Sequence, residues 1–300
     1  MDSYVKYYTN DTSTIKSGNV KVTFFGVSTL LLDDGETQIL IDGFFSRPSI
    51  LKVLTSRIST DTSIVNKVIS QYGIDKLKAV FVTHSHYEHA LDAAYIAKKT
   101  NSDLLGSSST FNIGLGGGLN ENQVSIFDLE KEYQYGHFSV KVILSKHSPA
   151  ASYNDDLGEE ISTPIAQPAK ASDYVEGGSF DFFIHHKEHT IYIKPSANYI
   201  TDKLKETKSD VLFLGVGGLS NQDSVFMNQY YRQTVEMLMP KIIIPLHWDN
   251  FFQPFSDNLR MNPRLMDKSY KGFDFLINKT QSSNINFTIL QGGKSIILFN

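Results

Sequence analysis

The chain has 300 residues, a formal net charge of −4 and no cysteine. The absence of cysteine excludes disulfides, thiolate nucleophiles and thiolate metal ligands. The slightly acidic balance and the lack of a basic run argue against a polyanion, so we expect no nucleic-acid partner. Hydrophobic residues make up 41% of the chain, which is enough for a sizeable core. The composition therefore predicts a globular protein whose site chemistry depends on His, Asp and Glu.

The first residues are polar and are followed by segments with regular apolar patterns. We expect a flexible leader over residues 1–19 and a single domain over residues 20–300. The start of the chain has no basic segment followed by an apolar one, and no apolar run reaches the ~18 residues that span a bilayer. The expected location is the cytoplasm, or the periplasm or exterior if a signal peptide has been removed.

Apolar periodicity predicts strands and helices in an order typical of a layered α/β domain. Helical spacing over 61–73 has Asp61 as a candidate N-cap, and Asp34-Gly35 predicts a hairpin turn. Segment 148–178 shows little periodicity and is either a functional loop or a tolerated surface excursion. Further helices are predicted over 90–99, 223–239 and 264–278. Strands are predicted over 20–25, 29–32, 38–41, 78–82, 123–127, 138–144, 180–184, 190–193, 211–214, 241–246, 285–290 and 295–299.

A short segment directly after the predicted strand 78–82 contains three imidazoles and one carboxylate. A strand that ends in such a cluster points several potential ligands into one small space. Imidazole and carboxylate suit zinc or another first-row divalent ion, and a set without thiolates favours a catalytic over a purely structural site. A polar loop that happens to be rich in histidine is the alternative. The four residues are His84, His86, Glu88 and His89.

This segment resembles the His-x-His-x-Asp-His signature of the metallo-β-lactamase superfamily. The stretch Phe24-Phe25-Gly26-Val27-Ser28-Thr29 and the turn Ile41-Asp42-Gly43 are also similar to that family. The resemblance extends over about residues 20–299 and implies an α/β fold, a four-layer αββα metallo-β-lactamase sandwich. Within the superfamily the chain is most similar to the group containing ascorbate-6-phosphate lactonases and N-acylphosphatidylethanolamine phospholipases D.

The resemblance also implies two metal positions, each held by residues at the ends of strands. The first position takes three imidazoles, from His84, His86 and His147. The second takes one carboxylate and two imidazoles, from Glu88, His89 and His247. We expect the remaining histidines to be structural or solvated; they are His137, His185, His186 and His189.

Two departures from the family pattern concern the second metal. Glu88 stands where the family usually has Asp, and Ser196 stands where the family usually has an Asp that bridges the two metals. A neutral hydroxyl is a poorer ligand than a carboxylate, so we expect one tight and one weak metal site. Asp249 either replaces part of the lost charge or supports a ligand imidazole or Trp248 from outside the site.

These features predict a metal-dependent hydrolase in which a zinc-activated hydroxide attacks an ester, lactone or phosphodiester. Glu88 and Asp249 are the candidate catalytic carboxylates, and the expected cofactor is one or two Zn²⁺, with Mn²⁺ or Fe²⁺ as alternatives. The expected substrate is a small molecule or lipid-like, because the apolar segment 44–51 follows a candidate site turn; core packing is the alternative for that segment. A phospholipase D-like lipid phosphodiesterase, a non-catalytic metal-dependent binding protein and oxygen chemistry at iron are competing functions.

Overall fold

Two β-sheets pack face to face, and helices cover both outer surfaces. The computed structural model describes residues 1–150 and 155–299. Within these ranges the strands form two seven-stranded sheets and one two-stranded sheet. One apolar cluster lies between the sheets and continues to the helices behind the second sheet, and another joins the first sheet to its own helices. The predicted four-layer αββα sandwich is therefore confirmed.

The strands are numbered in chain order, and most of them are four to seven residues long. They are β1 (Tyr8–Thr9), β2 (Val20–Phe24), β3 (Leu30–Asp33), β4 (Gln38–Ile41), β5 (Leu77–Phe81), β6 (Asp103–Gly106), β7 (Val124–Ile126), β8 (Glu132–Tyr135), β9 (Phe138–Leu144), β10 (Phe180–His186), β11 (His189–Lys194), β12 (Val211–Gly215), β13 (Ile242–Leu246), β14 (Asn286–Phe287), β15 (Ile289–Leu290) and β16 (Ser295–Leu298).

The helices are short, and in the described part of the chain none combines the length and apolar character needed to cross a bilayer. Arg232–Glu236 continues α6 as a π-helical segment. The α-helices are α1 (Ile50–Thr55), α2 (Thr62–Gln71), α3 (Tyr87–Ala90), α4 (Ala93–Thr100), α5 (Ser108–Gly116), α6 (Ser224–Tyr231) and α7 (Ser269–Thr280).

Both large sheets are half parallel and half antiparallel. The first has the order β16-β2-β3-β4-β5-β6-β7, and the second has the order β14-β13-β12-β11-β10-β9-β8. Strands β4 to β7 are parallel to one another, as are β11 to β14. Because parallel strands end at the same edge of a sheet, the loops after β5, β11 and β13 can converge on one site.

Alternating side chains fix the register of the first sheet. Ile39 and Ile41 of β4 face the space between the sheets, whereas Leu40 packs towards the helices. The next strand, β5, repeats the alternation with Phe81 facing inward and Val80 facing the helices. Full burial of each large apolar side chain contributes about 1.5–3 kcal/mol, so a one-residue slip would be costly. The fixed register determines which residues emerge at the end of β5.

Most predicted elements are present, with small shifts at their ends. Helix α2 begins as predicted, because the Asp61 carboxylate accepts hydrogen bonds from the backbone N–H groups of Ser63 and Ile64. The hairpin at Asp34-Gly35 is also confirmed, with Gly35 at φ 90° between β3 and β4. The predicted helix over 90–99 is instead two helices, α3 and α4, separated by a short turn.

No predicted element covers β6 or the helix that follows it. Helix α5 begins after Ser107, whose side chain accepts a hydrogen bond from the Thr110 N–H. Its sequence contains two glycines and has no clear polar face, so periodicity does not reveal it. The helix is nevertheless packed into the fold, and Gly114 leaves no room for a Cβ beside Val124 and Leu104.

Residues 2–9, which belong to the predicted leader, have defined contacts. The Tyr4 ring is buried and lies edge-on to Phe273 at 5.3 Å between centroids, and its hydroxyl donates to Asp274 at 2.7 Å. Strand β1 pairs with β15. This part of the segment therefore packs against the body of the protein because its aromatic residues find partners far along the chain. The domain boundary at residue 20 stays a prediction.

Candidate metal centre

The candidate ligands emerge where strands of both sheets end. His84 and His86 lie in the turn after β5, and Glu88 and His89 lie on α3 immediately beyond it. His147 follows β9, so the two sheets each contribute to the cluster. Residue His247 follows β13 directly. The four segments are brought together by the register of strands that are distant in sequence.

The first group of donors consists of His84, His86 and His147. Their ligand atoms lie within 4.8 Å of one another. The ring centroids are 4.9 Å apart for His84–His86, 4.7 Å for His84–His147 and 4.9 Å for His86–His147, and the rings are nearly perpendicular in each pair. Three imidazoles at this spacing match the donor set of a mononuclear zinc site with an open fourth position.

The second group consists of Glu88, His89 and His247, which also satisfy the 4.8 Å spacing. The rings of His89 and His247 are 5.3 Å apart. His84 and His89 have ring centroids only 3.8 Å apart, so the two groups adjoin each other. Every metal-ligand candidate of the sequence analysis therefore belongs to one of two neighbouring groups, and their function as ligands stays a prediction.

Unpartnered nitrogens indicate which ring atoms face the proposed metal positions. The Nε2 atoms of His84 and His89 and the Nδ1 atom of His247 are buried without a hydrogen bond to any described residue. His147 uses Nδ1 to contact the Ser148 carbonyl at 3.0 Å, which leaves its Nε2 available. A buried polar atom without a partner costs about 1–3 kcal/mol. A metal ion would satisfy these atoms, so the residues present fit the group that the fold implies.

The electrostatics of the first group favour the neutral, metal-binding form for two of its three imidazoles, His84 and His147. Burial lowers the pKa of His84 well below its ordinary value, and the neighbouring imidazoles lower it further. Burial, with a contribution from His86, lowers the pKa of His147 to about 3. For His86, burial is outweighed by the Asp156 hydrogen bond and nearby carboxylates, so its pKa is raised. In the second group, burial lowers the pKa of His89 despite the opposing effect of Glu88.

Asp42 is a supporting residue that the sequence analysis names only as part of a turn. Its Oδ2 lies 2.8 Å from His89 Nδ1 and accepts from Ser28 Oγ at 2.5 Å, and its Oδ1 accepts from the Thr83 N–H at 2.7 Å. Burial raises the pKa of Asp42 to about 7, against the lowering effect of these hydrogen bonds. The contact orients the imidazole so that Nε2 of His89 points away from Asp42. Its partner is 47 residues away, so no local signal could have found it.

Asp249 lies in a buried ion pair outside both donor groups. Its Oδ2 accepts from Arg47 Nη2 at 2.5 Å, and its Oδ1 accepts from the Val27 N–H at 2.7 Å. Both charged side chains are fully buried. The carboxylate therefore lies outside both donor groups and faces Arg47, a partner that the sequence does not connect with it. Its catalytic role stays a prediction.

The backbone around His247 is held in an unusual conformation. His247 has φ 57°, Asp42 has φ 56° and Val27 has φ 53°. Such conformations cost of order 1–3 kcal/mol each for residues with a Cβ. The His247 N–H donates to the Val27 carbonyl at 2.6 Å, and a Cβ on Gly217 would lie 2.7 Å from His247 Nδ1. The glycine is therefore required for the imidazole to pack at this position.

Ser196 lies just beyond the end of β11 and is buried. The segment that follows it supports the first group, because Asn198 Nδ2 donates to the His147 carbonyl at 2.6 Å. Ser148 Oγ in turn accepts from the Ala197 N–H at 2.9 Å. The residue at the family's bridging position is thus next to the His147 loop, and its action as a ligand stays a prediction.

Aromatic side chains lie beside the second group. Phe251 is edge-on to His247 at 5.7 Å between centroids and 6.5 Å from Tyr87, and both aromatic residues are half-buried. Phe44 packs against the other side of Tyr87 at 6.0 Å and is fully buried. The beginning of segment 44–51 therefore packs in the core, which is the alternative given for it above. Leu51, at its end on α1, is 69% exposed.

The remaining histidines lie outside both donor groups. His186 contacts Asp34 at 3.1 Å and is buried, and His189 stacks on Phe299 at 4.2 Å. His137 lies 3.7 Å from Glu36 with half of its side chain exposed. His185 packs against Phe183. These contacts agree with the structural or solvated character expected for them.

The fold and the paired donor groups define a protein of the metallo-β-lactamase type. A family model described as "Beta-lactamase superfamily domain" matches residues 21–247, and the chain therefore belongs to the metallo-β-lactamase superfamily. It is 23% identical over 236 residues to a "UPF0173 metal-dependent hydrolase" from Heliobacterium modesticaldum, covering 77% of this chain and 83% of the relative.

Solved structures with the same fold include proteins named for different reactions. Igni18, described as a novel metallo hydrolase from Ignicoccus hospitalis, aligns with a TM-score of 0.55 and 14% identity over 94% of this chain and 99% of its own. CmlA, a diiron β-hydroxylase from Streptomyces venezuelae, aligns with a TM-score of 0.60 and 14% identity over 93% of this chain and 54% of its own. At this identity the likeness establishes the fold alone.

Proposed function

We propose that this protein is a metal-dependent hydrolase that cleaves an ester, lactone or phosphodiester carrying an apolar group. The observation that carries the proposal is the pair of adjoining donor groups with buried, unpartnered ring nitrogens. Relatives named as metal-dependent hydrolases support hydrolysis over the iron-dependent hydroxylation named for CmlA. We also propose that the protein belongs to the group that contains lactonases and phospholipases D.

The proposed roles follow from charge and position. Bound divalent ions would lower the pKa of water and polarise the bond under attack. The five imidazoles hold the ions without neutralising them, and Glu88 supplies the one carboxylate of the two donor groups. Hydrolysis joins the water oxygen to the carbonyl carbon or phosphorus, breaks the bond to the leaving oxygen and transfers a proton to that oxygen. Glu88, which is half-buried, is the proposed carrier of that proton.

We propose Zn²⁺ for the three-histidine group, because neutral imidazoles in a closely spaced trio suit that ion. The second position is the weaker one, since Ser196 replaces the carboxylate that the family usually places between the metals. Mn²⁺ and Fe²⁺ are the alternatives for both positions. Elemental analysis of the purified protein, before and after loading with each ion, measures which metal remains bound after dialysis. Retention of about one Zn²⁺ per chain is the expected result.

The apolar part of the substrate is proposed to lie along Phe251 and Tyr87. These half-buried rings are the apolar surface nearest to His247 among the contacts described above. Helix α1, which follows the segment that contains Phe44 and Arg47, presents Ile50, Leu51 and Leu54 with 46%, 69% and 75% of their surfaces exposed. Arg47 connects this helix to the site through Asp249. The arrangement suits an acyl or other lipid-like group.

The decisive experiment measures hydrolysis by metal-loaded protein on three substrate classes: aryl esters of short and long fatty acids, a long-chain acyl lactone, and a phosphodiester with and without an acyl chain. We expect turnover of at least one class, with a preference for the longer chain. The double variant His84→Ala/His86→Ala should lose activity by at least about 100-fold, since even residues that only support ligands contribute 10–100-fold.

Two controls make the result interpretable. Phe251→Ala should reduce the preference for long chains while leaving metal content unchanged, because Phe251 contacts the His247 ring but offers no ligand atom. Circular dichroism and thermal unfolding of the double variant establish that the fold survives. Absence of turnover of all three classes by metal-loaded parent protein would contradict the hydrolase proposal.

A metal-dependent binding protein is the second candidate, and the serine at position 196 favours it. Without the usual carboxylate, a weak second metal would leave the site able to bind an anionic group without cleaving it. Calorimetric titration of a non-hydrolysable phosphonate into zinc-loaded protein distinguishes the two. Tight binding with no turnover of the corresponding ester supports the binding protein, and turnover supports the hydrolase.

A further inference from the structure

The segment from residue 155 to residue 178 lies directly against the turn that carries His84 and His86. The Ser85 N–H donates to the Glu176 carbonyl at 2.8 Å. A Cβ on Gly177 would lie 2.7 Å from Ser85 Oγ, so the two backbones approach closely at this point. This segment, for which the sequence left a functional loop and a surface excursion open, is therefore in contact with the candidate metal centre.

Glu176 organises the contact from within the segment. Its side chain is buried, with 7% of the residue exposed. One carboxylate oxygen accepts from Ser179 Oγ at 2.6 Å, and the other accepts from the Gly158 N–H at 2.8 Å. The Glu176 N–H donates to Asp156 Oδ2 at 3.1 Å. These hydrogen bonds fix the position of Asp156 with respect to the turn after β5.

Asp156 reaches His86 from this position. Its two carboxylate oxygens lie 3.0 and 3.2 Å from His86 Nε2. The side chains are 10% exposed for His86 and 24% exposed for Asp156, so the pair is largely shielded from water. Asp156 belongs to none of the sequence motifs described above and is 70 residues from its partner.

The contact determines which nitrogen of His86 is free. A carboxylate at Nε2 requires the proton to be on that atom, so the lone pair is on Nδ1. Nδ1 is then the atom that His86 can offer to the group formed with His84 and His147. In the same group, Nε2 of His84 is buried without a partner among the described residues, and Nε2 of His147 is available because its Nδ1 contacts Ser148. For His86, the assignment depends instead on a carboxylate that lies outside the donor groups.

We propose that Asp156 is a positioning residue that orients His86 for metal binding and joins the 155–178 segment to the metal centre. The inference rests on the metal-binding role proposed for His86. Asp156 acts through the imidazole and not as a ligand, because both of its oxygens face Nε2 and one also accepts from the Glu176 N–H. Among the described residues it belongs to neither donor group.

The test compares Zn²⁺ dissociation constants of the full-length parent and the variants Asp156→Ala and Asp156→Asn, measured by competition with a chromophoric chelator. Asp156→Ala should weaken Zn²⁺ binding by about 10- to 100-fold. Asp156→Asn should weaken it less, because the amide oxygen can still accept from Nε2–H. The matched control is Asp155→Asn, which removes the same charge from an exposed neighbouring residue and should leave the affinity unchanged.

A second readout separates positioning from a merely structural role. The visible absorption of Co²⁺-substituted protein reports ligand geometry, and it should change in Asp156→Ala and be restored in part by Asp156→Asn. Parent-like Zn²⁺ affinity and Co²⁺ spectrum in Asp156→Ala would overturn the inference, as would an equal loss in Asp155→Asn. If Asp156→Ala does not fold, Asp156→Asn carries the test: an affinity loss greater than that of Asp155→Asn supports the inference, and none overturns it.

The outcome is independent of catalysis because no substrate is used. Zinc binding by the parent with no turnover would contradict the hydrolase proposal but leave the role of Asp156 intact. Failure of the parent to bind Zn²⁺, Mn²⁺ or Fe²⁺ would overturn both.

Discussion

The two donor groups adjoin each other but are supported in different ways. His86 of the first group is supported by Asp156, a partly exposed residue of the long segment after β9. His89 of the second is supported by Asp42, a fully buried residue at the end of β4. The first group consists of three imidazoles, whereas the second includes the Glu88 carboxylate.

The difference shows that the group whose imidazole is held more rigidly need not be the group with the higher expected metal affinity. The second group has the more rigid support, because Asp42 also binds Ser28 and Thr83 in the core. Under the proposed assignment, Ser196 takes the place of the carboxylate that would make a second ion tight. The first group has the better donor set for zinc, but one of its proposed ligands, His86, depends on a loop residue. Metal occupancy should therefore differ between the groups, and each can be altered separately.

The largest expected effect comes from removing one imidazole from each group. His147→Ala takes one of the three neutral donors from the first group and should weaken the tightest Zn²⁺ site by at least about 100-fold. His247→Ala should leave that site nearly unchanged and remove only the weaker ion. Zinc titration with a chelator indicator measures both. Equal losses in the two variants would show that the groups bind as one unit.

Asp249 should matter for stability more than for metal binding. Asp249→Ala leaves the buried Arg47 guanidinium without its partner and the Val27 N–H without an acceptor. The expected loss in the free energy of unfolding is about 3–5 kcal/mol, measured by urea denaturation. The control is Asp257→Ala, which breaks an exposed pair with Lys294 at 3.7 Å and should cost no more than about 1 kcal/mol. A large loss of kcat in Asp249→Ala without destabilisation would instead support the catalytic role predicted from the sequence.

A carboxylate at position 196 should reduce the difference in metal affinity between the two donor groups. Ser196→Asp is expected to tighten the weaker metal by about tenfold or more, because a carboxylate is a far better ligand than a hydroxyl. The apo form should become less stable, since the new charge is buried without a partner. Ser196→Asn is the neutral control of similar size. An increase in metal affinity in both variants would indicate a steric effect instead.

The last prediction is a change in pH dependence, and its effect is smallest near neutral pH. The pKa of His147 is about 3 in the folded apo protein and 6.5 as its ordinary value, so the unfolded chain binds more protons between these limits. The stabilising effect of neutral His147 is therefore complete above pH 6.5 and declines as the pH falls towards 3. The slope is at most about 1.4 kcal/mol per pH unit for one histidine.

The comparison with His147→Gln isolates this contribution from Asp42, whose raised pKa acts in the opposite direction. Urea denaturation of metal-free parent and variant across the acidic range measures the difference in unfolding free energy. The difference should change with pH below 6.5 and become constant above it. A difference that is constant throughout would contradict the lowered pKa.

Much of the fold follows from patterns that are local in the sequence. The alternation in β4 and β5, the Asp61 cap of α2 and the Asp34-Gly35 turn are each determined by residues within a few positions of one another. Helix α5 is the exception, because its glycines and small polar residues give no periodic signal. Its stability comes from packing against β6 and β7, which only the assembled sheet provides.

The six candidate ligands were also named from the sequence, through the resemblance of the segment from His84 to His89 to the family signature and of His147 and His247 to the family's later ligands. Their supporting residues were not. Asp42, Asp156 and Arg47 contact partners 47, 70 and 202 residues away. Side-chain contacts across such separations depend on strand register and on the path of loops, neither of which a motif records.

By itself, then, the sequence determined the chemical types available to the candidate site: five imidazoles, one carboxylate and a serine at position 196. Only the tertiary structure decided which carboxylates serve the imidazoles and which one, Asp249, is neutralised by Arg47. The physical reason is that a residue's chemical type is fixed along the chain, whereas the environment that sets its charge and orientation is created when distant segments pack together.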